Sequence, residues 1–195
     1  WGDAEQQAFW LRNLATGRTR AAFALTEPGF GSEATGIQCR VRRERGTLIL
    51  GGTKQWISGS RFAHLFLVMA RSEEEGLMAL LVPAETPGLR ISPLNDLLGF
   101  RAAGIARLDF EECRLNADAL LGPPGGGFTF VASQALDHGR FTVGCGCLGI
   151  IEACLGSSVA YAGRRVQFGE PLRRHQLIQE MVANMATDRE AARAL

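Results

Sequence analysis

A proline and glycine knot, GPPGGG at 122–127, divides this chain into two parts of different character, and that division limits the available folds more than any other feature. Before the knot, short apolar runs alternate with glycine, proline or charged turns. They are AAFAL at 21–25, the alternating Ile37, Cys39 and Val41, TLIL at 47–50, HLFLVMA at 64–70, LMALLV at 77–82 and IARLDF at 105–110. Runs of this length closed by turn formers predict six or more strands in a sandwich or flattened barrel. After the knot, proline is absent until Pro171, and the pattern predicts one helix over 128–165 and a second from about Arg173 to the end, interrupted by FGEP at 168–171. The opening residues read as the end of a helix, with Phe9, Leu11 and Leu14 apolar and Gly17 as its stop. The expected fold class is α+β: a central antiparallel β-sandwich or barrel domain followed by long helices of an incomplete bundle. Expected boundaries are 1–18 for the end of an N-terminal helical domain, 19–122 for the β-domain and 123–195 for the first two helices of a C-terminal domain.

A helix of ~38 residues is roughly 57 Å long, more than a small domain covers alone, so it must pack on other helices. Gly144, Gly146, Gly149 and Gly156 lie within it. Each lowers intrinsic helicity by up to ~1 kcal/mol relative to alanine, tolerable where it permits close contact with a neighbouring helix. The second helix carries Leu177, Ile178, Met181, Val182 and Met185 at helical spacing and reaches Leu195 without a stop signal. Both ends therefore read as helix interiors, and the chain is expected to be a piece of a longer protein.

Composition narrows the function classes. Hydrophobic residues at 46% suffice for a core, and no uninterrupted apolar run reaches the ~18 residues of a membrane-spanning helix. A net charge of +1 gives no electrostatic case for nucleic acid, so a polyanionic ligand would need a local arginine group. Five scattered cysteines and no signal-peptide pattern make the cytoplasm the expected location. Cys145 and Cys147 sit two apart in a helix and point to different faces with no second Cys/His pair following, so they read as small packing residues and no metal site is expected.

Two stretches carry the chemistry, LTEPGFGS at 25–32 and KQWIS at 54–58. Thr26, Gly31 and Ser32 offer a hydroxyl, a close-approach backbone and a second hydroxyl. Trp56 supplies a flat apolar wall and Ser58 another hydroxyl. Hydroxyls and amides can satisfy the polar edge of an isoalloxazine ring, and an indole can cover its face. In this the chain resembles the flavin-dependent acyl-CoA dehydrogenases, and the resemblance extends over an ordered set: ALTEPGFGSEA, GGTKQWISG, LLGFRAAGIARLDFEECRL, LDHGR and RRVQFGEPLRRHQLIQ. It covers nearly the whole chain but only about the middle half of a family member.

The resemblance implies FAD as cofactor, lying between the β-domain and a C-terminal four-helix domain. Phe23, Leu25 and Thr26 match the strand whose backbone and hydroxyl hold the flavin ring, and Gly31 and Ser32 the turn beside cofactor and thioester. Trp56, Ile57 and Ser58 match the aromatic wall and the hydroxyl that addresses flavin N5. Arg165, Gln167, Phe168, Leu172, His175 and Gln176 match a segment that reaches across a subunit interface to the pyrophosphate and adenosine of a neighbour's FAD, which implies a homodimer or homotetramer. Arginine's fork suits the pyrophosphate, so Arg165 is expected there. Ser32, Asp137 and Arg140 match positions near the substrate. The competing readings are turn caps for Thr26 and Ser32, a core aromatic for Trp56, a solvated charge run around Arg165, and an i,i+3 ion pair for Asp137 and Arg140.

The implied reaction is α,β-dehydrogenation of an acyl thioester, with a carboxylate removing the α-proton. No catalytic residue is identified in these residues. In most of the family the base lies on a later helix, and in a minority it occupies the position of Gly139, which cannot act as a base. The helix LDHGRFTVGCGCLGIIEACL is similar to that of members serving polyketide or other natural-product pathways, so the acyl group rides on coenzyme A or on an acyl carrier protein. The electron acceptor is a flavoprotein or other partner. The alternatives are a flavin monooxygenase or oxidase on the same scaffold and a non-catalytic paralogue acting in protein association.

Overall fold

The computed structural model describes all 195 residues, Trp1–Leu195, in two compact units, Trp1–Ala135 and Leu136–Leu195. The first unit opens with α1 (Ala4–Gln6), a π-helical turn (Gln7–Leu11) and α2 (Arg12–Ala15). Asp3 starts it through a capping box: its carboxylate accepts from the Gln6 backbone N–H at 2.8 Å, and its own N–H donates to the Gln6 side chain at 3.1 Å. Gly17, at φ 71°, ends it in the left-handed conformation that a glycine adopts without strain.

The strands are β1 (Ala21–Ala24), β2 (Arg40–Glu44), β3 (Thr47–Ile57), β4 (Leu65–Ser72), β5 (Gly76–Pro83), β6 (Leu89–Pro93), β7 (Ala106–Leu115) and β8 (Leu120–Leu121). They form one eight-stranded sheet in the order β6-β7-β3-β2-β4-β5-β8, with β1 also paired to β4. The sheet is mixed rather than wholly antiparallel, because Ala21–Ala24 runs parallel to Leu65–Val68 and Arg40 pairs in parallel with Arg71. β1 and β2 are each too short to cover the eight-residue edge of β4, so they share it end to end. The sheet curls about one core into which Ala22, Val41, Leu48, Leu50, Phe66, Val68, Met78, Leu80, Leu108 and Phe110 point.

Two strands differ from the sequence expectation for identifiable reasons. β3 does not stop after TLIL but continues to Ile57, since its backbone keeps pairing with β7 although Gly51, Gly52, Thr53 and Lys54 break the apolar pattern. β6, LRISP, lacks a strong apolar run. It is an end strand whose closing Pro93 is tolerated because one side of the strand is unpaired.

The second unit contains most of α3 (Ser133–Arg164), a hairpin of β9 (Val166–Gln167) and β10 (Glu170–Pro171), and α4 (Gln176–Ala194). Phe168 at φ 51° and Gly169 at φ 80° make the two-residue turn of the hairpin. Arg189 on α4 lies 3.7 Å from Glu152 on α3. A Cβ added at Gly144, Gly146, Gly149 or Gly156 would meet nothing within 4 Å, so the close helix contact expected of these glycines is not made within this chain.

The helical run Gly127–Arg164 also corrects the membrane argument drawn from uninterrupted apolar runs. It contains an 18-residue window of mean hydropathy 1.6, long and apolar enough to cross a membrane by length and composition alone, of which 6% is buried. Ala and Cys between the larger apolar side chains keep the average high, while interspersed Gly and Ser residues and Glu152 break any continuous run.

Candidate functional site

The segment after β1 leaves the sheet through a tight turn in which the Glu27 N–H donates to the Phe30 carbonyl at 3.0 Å and the Phe30 N–H to that of Glu27 at 3.2 Å. Gln55 of β3 donates its N–H to the Thr26 carbonyl at 2.9 Å, which brings LTEP and KQWIS side by side. Thr26 is half-buried, and Gly31, Ser32 and Ser58 are exposed. A Cβ at Gly31 would meet no atom within 4 Å, so nothing in this chain's own packing requires glycine there.

Trp56 owes its position to a β-bulge. After a first irregularity between Leu50 and Gly52, the register between β3 and β7 is regular from Gly52 opposite Phe110 to Lys54 opposite Leu108 and resumes at Ile57 opposite Ala106, so Gln55 and Trp56 together face Arg107. In an unbroken strand Lys54 and Trp56, two apart, would share a face. Here Lys54 is fully buried while Trp56, at φ 62°, is 53% exposed. A bulky residue in the left-handed region costs of order 1–3 kcal/mol and persists where surrounding structure dictates it, typically at ligand sites. Ile57, by contrast, is turned into the core at 2% exposure, leaving only its backbone to face a ligand. Phe23 is half-buried and Leu25 buried.

Beneath this edge lies a buried ion pair. Lys54 Nζ donates to Glu27 Oε1 and to the Leu25 carbonyl, each at 2.8 Å, and Glu27 accepts from the backbone N–H groups of Gln38 at 2.6 Å and Cys39 at 2.9 Å. Burial holds the Lys54 ammonium below its ordinary pKa. The neighbouring Cys39 thiol is pushed up to about 12, chiefly by burial and against the pull of Lys54. Neither charge stands out as a site residue within its own stretch of sequence. The available signal was a lone acid and a lone base, one in each stretch, set among apolar and glycine residues.

A second group forms in the other unit. The Arg165 carbonyl accepts from the Leu172 N–H at 2.9 Å, and the His175 carbonyl receives the N–H groups of Ile178 and Gln179 at the start of α4. This gathers Arg165, Gln167, Phe168, Leu172, His175 and Gln176 around one short hairpin. Arg165, Gln167 and Gln176 are exposed, Phe168 is 96% exposed, and its ring stands edge-on to His175 at 6.3 Å. His175 Nε2 is buried without a hydrogen-bond partner. Asp137 and Arg140 form an exposed i,i+3 ion pair at 3.1 Å.

A model of the acyl-CoA dehydrogenase middle domain matches residues 22–113, and one of the acyl-CoA dehydrogenase C-terminal domain matches 125–195. The chain thus has the build of a two-part class, a β-domain that leads into a helical domain. The short-chain specific acyl-CoA dehydrogenase, mitochondrial, of Homo sapiens is 40% identical over 199 aligned residues, spanning 100% of this chain and 48% of that protein. The glutaryl-CoA dehydrogenase of Mycobacterium smegmatis, solved in complex with FADH2, is 34% identical with a TM-score of 0.90, covering 98% of this chain and 49% of its own. FkbI, described as serving biosynthesis of the methoxymalonyl extender unit of the FK520 polyketide immunosuppressant, is 36% identical with a TM-score of 0.90 over 98% of this chain and 54% of its own. This chain belongs to the acyl-CoA dehydrogenase family. It spans about half the length of the curated relatives it matches. The apolar helix Gly127–Arg164 falls entirely within the matched C-terminal domain.

Proposed function

We propose that the full-length protein is an FAD-dependent dehydrogenase that introduces an α,β double bond into an acyl thioester. The observation that carries this reading is Trp56, an indole forced out of its strand by a bulge and held beside the Thr26 segment. FAD, when bound, supplies the acceptor for the β-hydrogen. Thr26 and Ser58 would hydrogen-bond the polar edge of its ring, Trp56 would cover a face, and the open space at Gly31 would admit the ring system or the thioester. Arg165 would pair with the pyrophosphate, and the orphaned His175 Nε2 fits a polar ligand atom beside Phe168. The fit is therefore good at both groups, and relatives named as dehydrogenases favour this reaction over a monooxygenase, an oxidase or a non-catalytic paralogue.

The α-proton is removed by a carboxylate outside these residues. Gly139 carries no side chain to act, and Asp137 is engaged with Arg140. Substrates are thioesters of coenzyme A or of an acyl carrier protein, the human relative being named for the former and FkbI for a polyketide extender unit. We place the protein in the cytoplasm, where free cysteines such as these five stay reduced; cell fractionation followed by immunoblotting tests that location.

The test is anaerobic titration of the purified full-length protein with matched acyl-CoA and acyl-carrier thioesters. Bleaching of the flavin's visible band by either supports the reading, and the carrier that bleaches it faster identifies the substrate class. A colourless protein after FAD addition, or flavin that no thioester reduces, overturns it.

A further inference from the structure

We infer that Glu27 and Lys54 are positioning residues for the ring-binding edge, a buried ionic brace that fixes the Thr26 segment against the Trp56 bulge. The inference rests on the proposed function above and assigns roles to two residues outside the expected site.

Burial makes the pair unavailable for chemistry of its own. Lys54 is 0% exposed and Glu27 5% exposed, so neither reaches a substrate. Nor does burial of an ion pair normally stabilise a fold more than apolar residues of similar volume, because desolvation of two charges offsets their attraction. Such a pair is instead able to specify one arrangement, and the contacts here show which. Lys54 Nζ holds the carbonyl of residue 25 and the carboxylate of residue 27, one on each side of Thr26. The same carboxylate is held by the N–H groups of Gln38 and Cys39, where the chain enters β2. Lys54 is also the last residue in register with β7 before the bulge, so its anchor sets where the strand departs from regularity and hence where Trp56 emerges. The loop that carries Thr26, the entry to β2 and the bulge of β3 therefore meet at one ammonium and one carboxylate. An apolar pair would fill the space but leave Thr26 and Trp56 free to shift, and the Gln38 and Cys39 amides without their acceptor.

The experiment uses the full-length protein with FAD and compares wild type with Glu27→Gln, Lys54→Met and the double variant. The double variant removes both charges while keeping shape, which protects the fold where a single change leaves one buried charge unpaired. Circular dichroism checks folding; FAD affinity, the position and fine structure of the flavin's visible band, and the separate kcat and KM for a thioester are then read.

The expected result is folded double variant protein with FAD affinity at least tenfold weaker, a blurred and displaced visible band, and kcat reduced more than KM is raised. The single changes are expected not to add, because both act on one brace. Folded variants that bind FAD with wild-type affinity and an unchanged spectrum overturn the inference alone. So does failure of all three variants to fold, which would assign the pair to stability rather than to the site. Wild-type protein that takes up no FAD overturns the proposed function and this inference with it.

Discussion

At the scale of single residues, burial and pairing make two side chains behave unlike their free counterparts. The Cys39 thiol, buried and pushed up to about 12, stays protonated and enclosed, whereas Cys145, Cys147 and Cys154 are exposed on α3. Iodoacetamide at pH 8 is therefore expected to leave Cys39 unlabelled in the folded full-length protein and to label it after unfolding, as read by peptide mass spectrometry. Asp109 is held below the usual carboxylate range first by the Arg107 guanidinium, at 2.8 Å, and further by the Thr53 hydroxyl, also at 2.8 Å. The folded state thus binds its proton less readily than the unfolded chain, whose value is about 3.9. Its stabilising contribution is complete above that pH and is lost as pH falls through the lower folded value. Asp109→Asn should cost about 1–2 kcal/mol at pH 7 and show a smaller loss of stability than wild type between about pH 5 and 2, measured by urea midpoints. None of this was legible in the sequence, where Asp109 is one acid in a strand and Cys39 one apolar position among several. Arg107 is a same-strand neighbour two residues from Asp109, but the Thr53 hydroxyl reaches Asp109 only through the pairing of β3 with β7, and the burial of Cys39 likewise depends on the folded sheet, which are long-range facts.

At the scale of elements, most strands and both long helices were legible because each has a local pattern of its own. AAFAL, HLFLVMA and LMALLV became β1, β4 and β5, and the GPPGGG knot does precede the helical run. The two bulges of β3 and β7 were not legible, since the sign of φ at Trp56 or Glu112 is imposed by neighbouring register rather than by residue type. They can be probed from opposite directions. Gly52 lies at φ 130°, and a Cβ there would come 2.8 Å from the Cys39 Cα, so Gly52→Ala should destabilise by about 2–4 kcal/mol in thermal or urea unfolding. Trp56→Asn replaces a strained indole with a residue that tolerates the left-handed region, and the lost packing and relieved strain should leave apoprotein stability within about 1 kcal/mol of wild type. FAD affinity, followed by flavin fluorescence, should nevertheless fall at least tenfold. A large loss of stability without loss of affinity would make Trp56 a packing residue and remove the main support for the proposed function.

At the scale of the whole molecule, the two groups of candidate ligands lie on different compact units, and the resemblance assigns the Arg165 group to the cofactor of a second copy. A site shared in that way can be rebuilt from two broken halves. Trp56→Ala and Arg165→Ala proteins, each inactive alone, should regain thioester-dependent flavin reduction when unfolded together and refolded as mixed oligomers. Mixtures that stay inactive would confine each site to one copy. The expected site rests on contiguous motifs and so could be proposed from the sequence, while the brace of Glu27 and Lys54 joins residues that only the folded sheet makes neighbours.

The parallel pairing of β1 with β4 has a temporal consequence. Residues 21–24 leave the ribosome long before their partners at 65–68, and a parallel ladder cannot close by simple hairpin growth. The stretch around Thr26 must therefore wait, unpaired, while the β2 and β3 hairpin forms downstream of it. The edge proposed for the dinucleotide cannot close on its β4 partner until residue 68 has been made, and a nascent chain stalled before residue 65 would leave that edge unpaired.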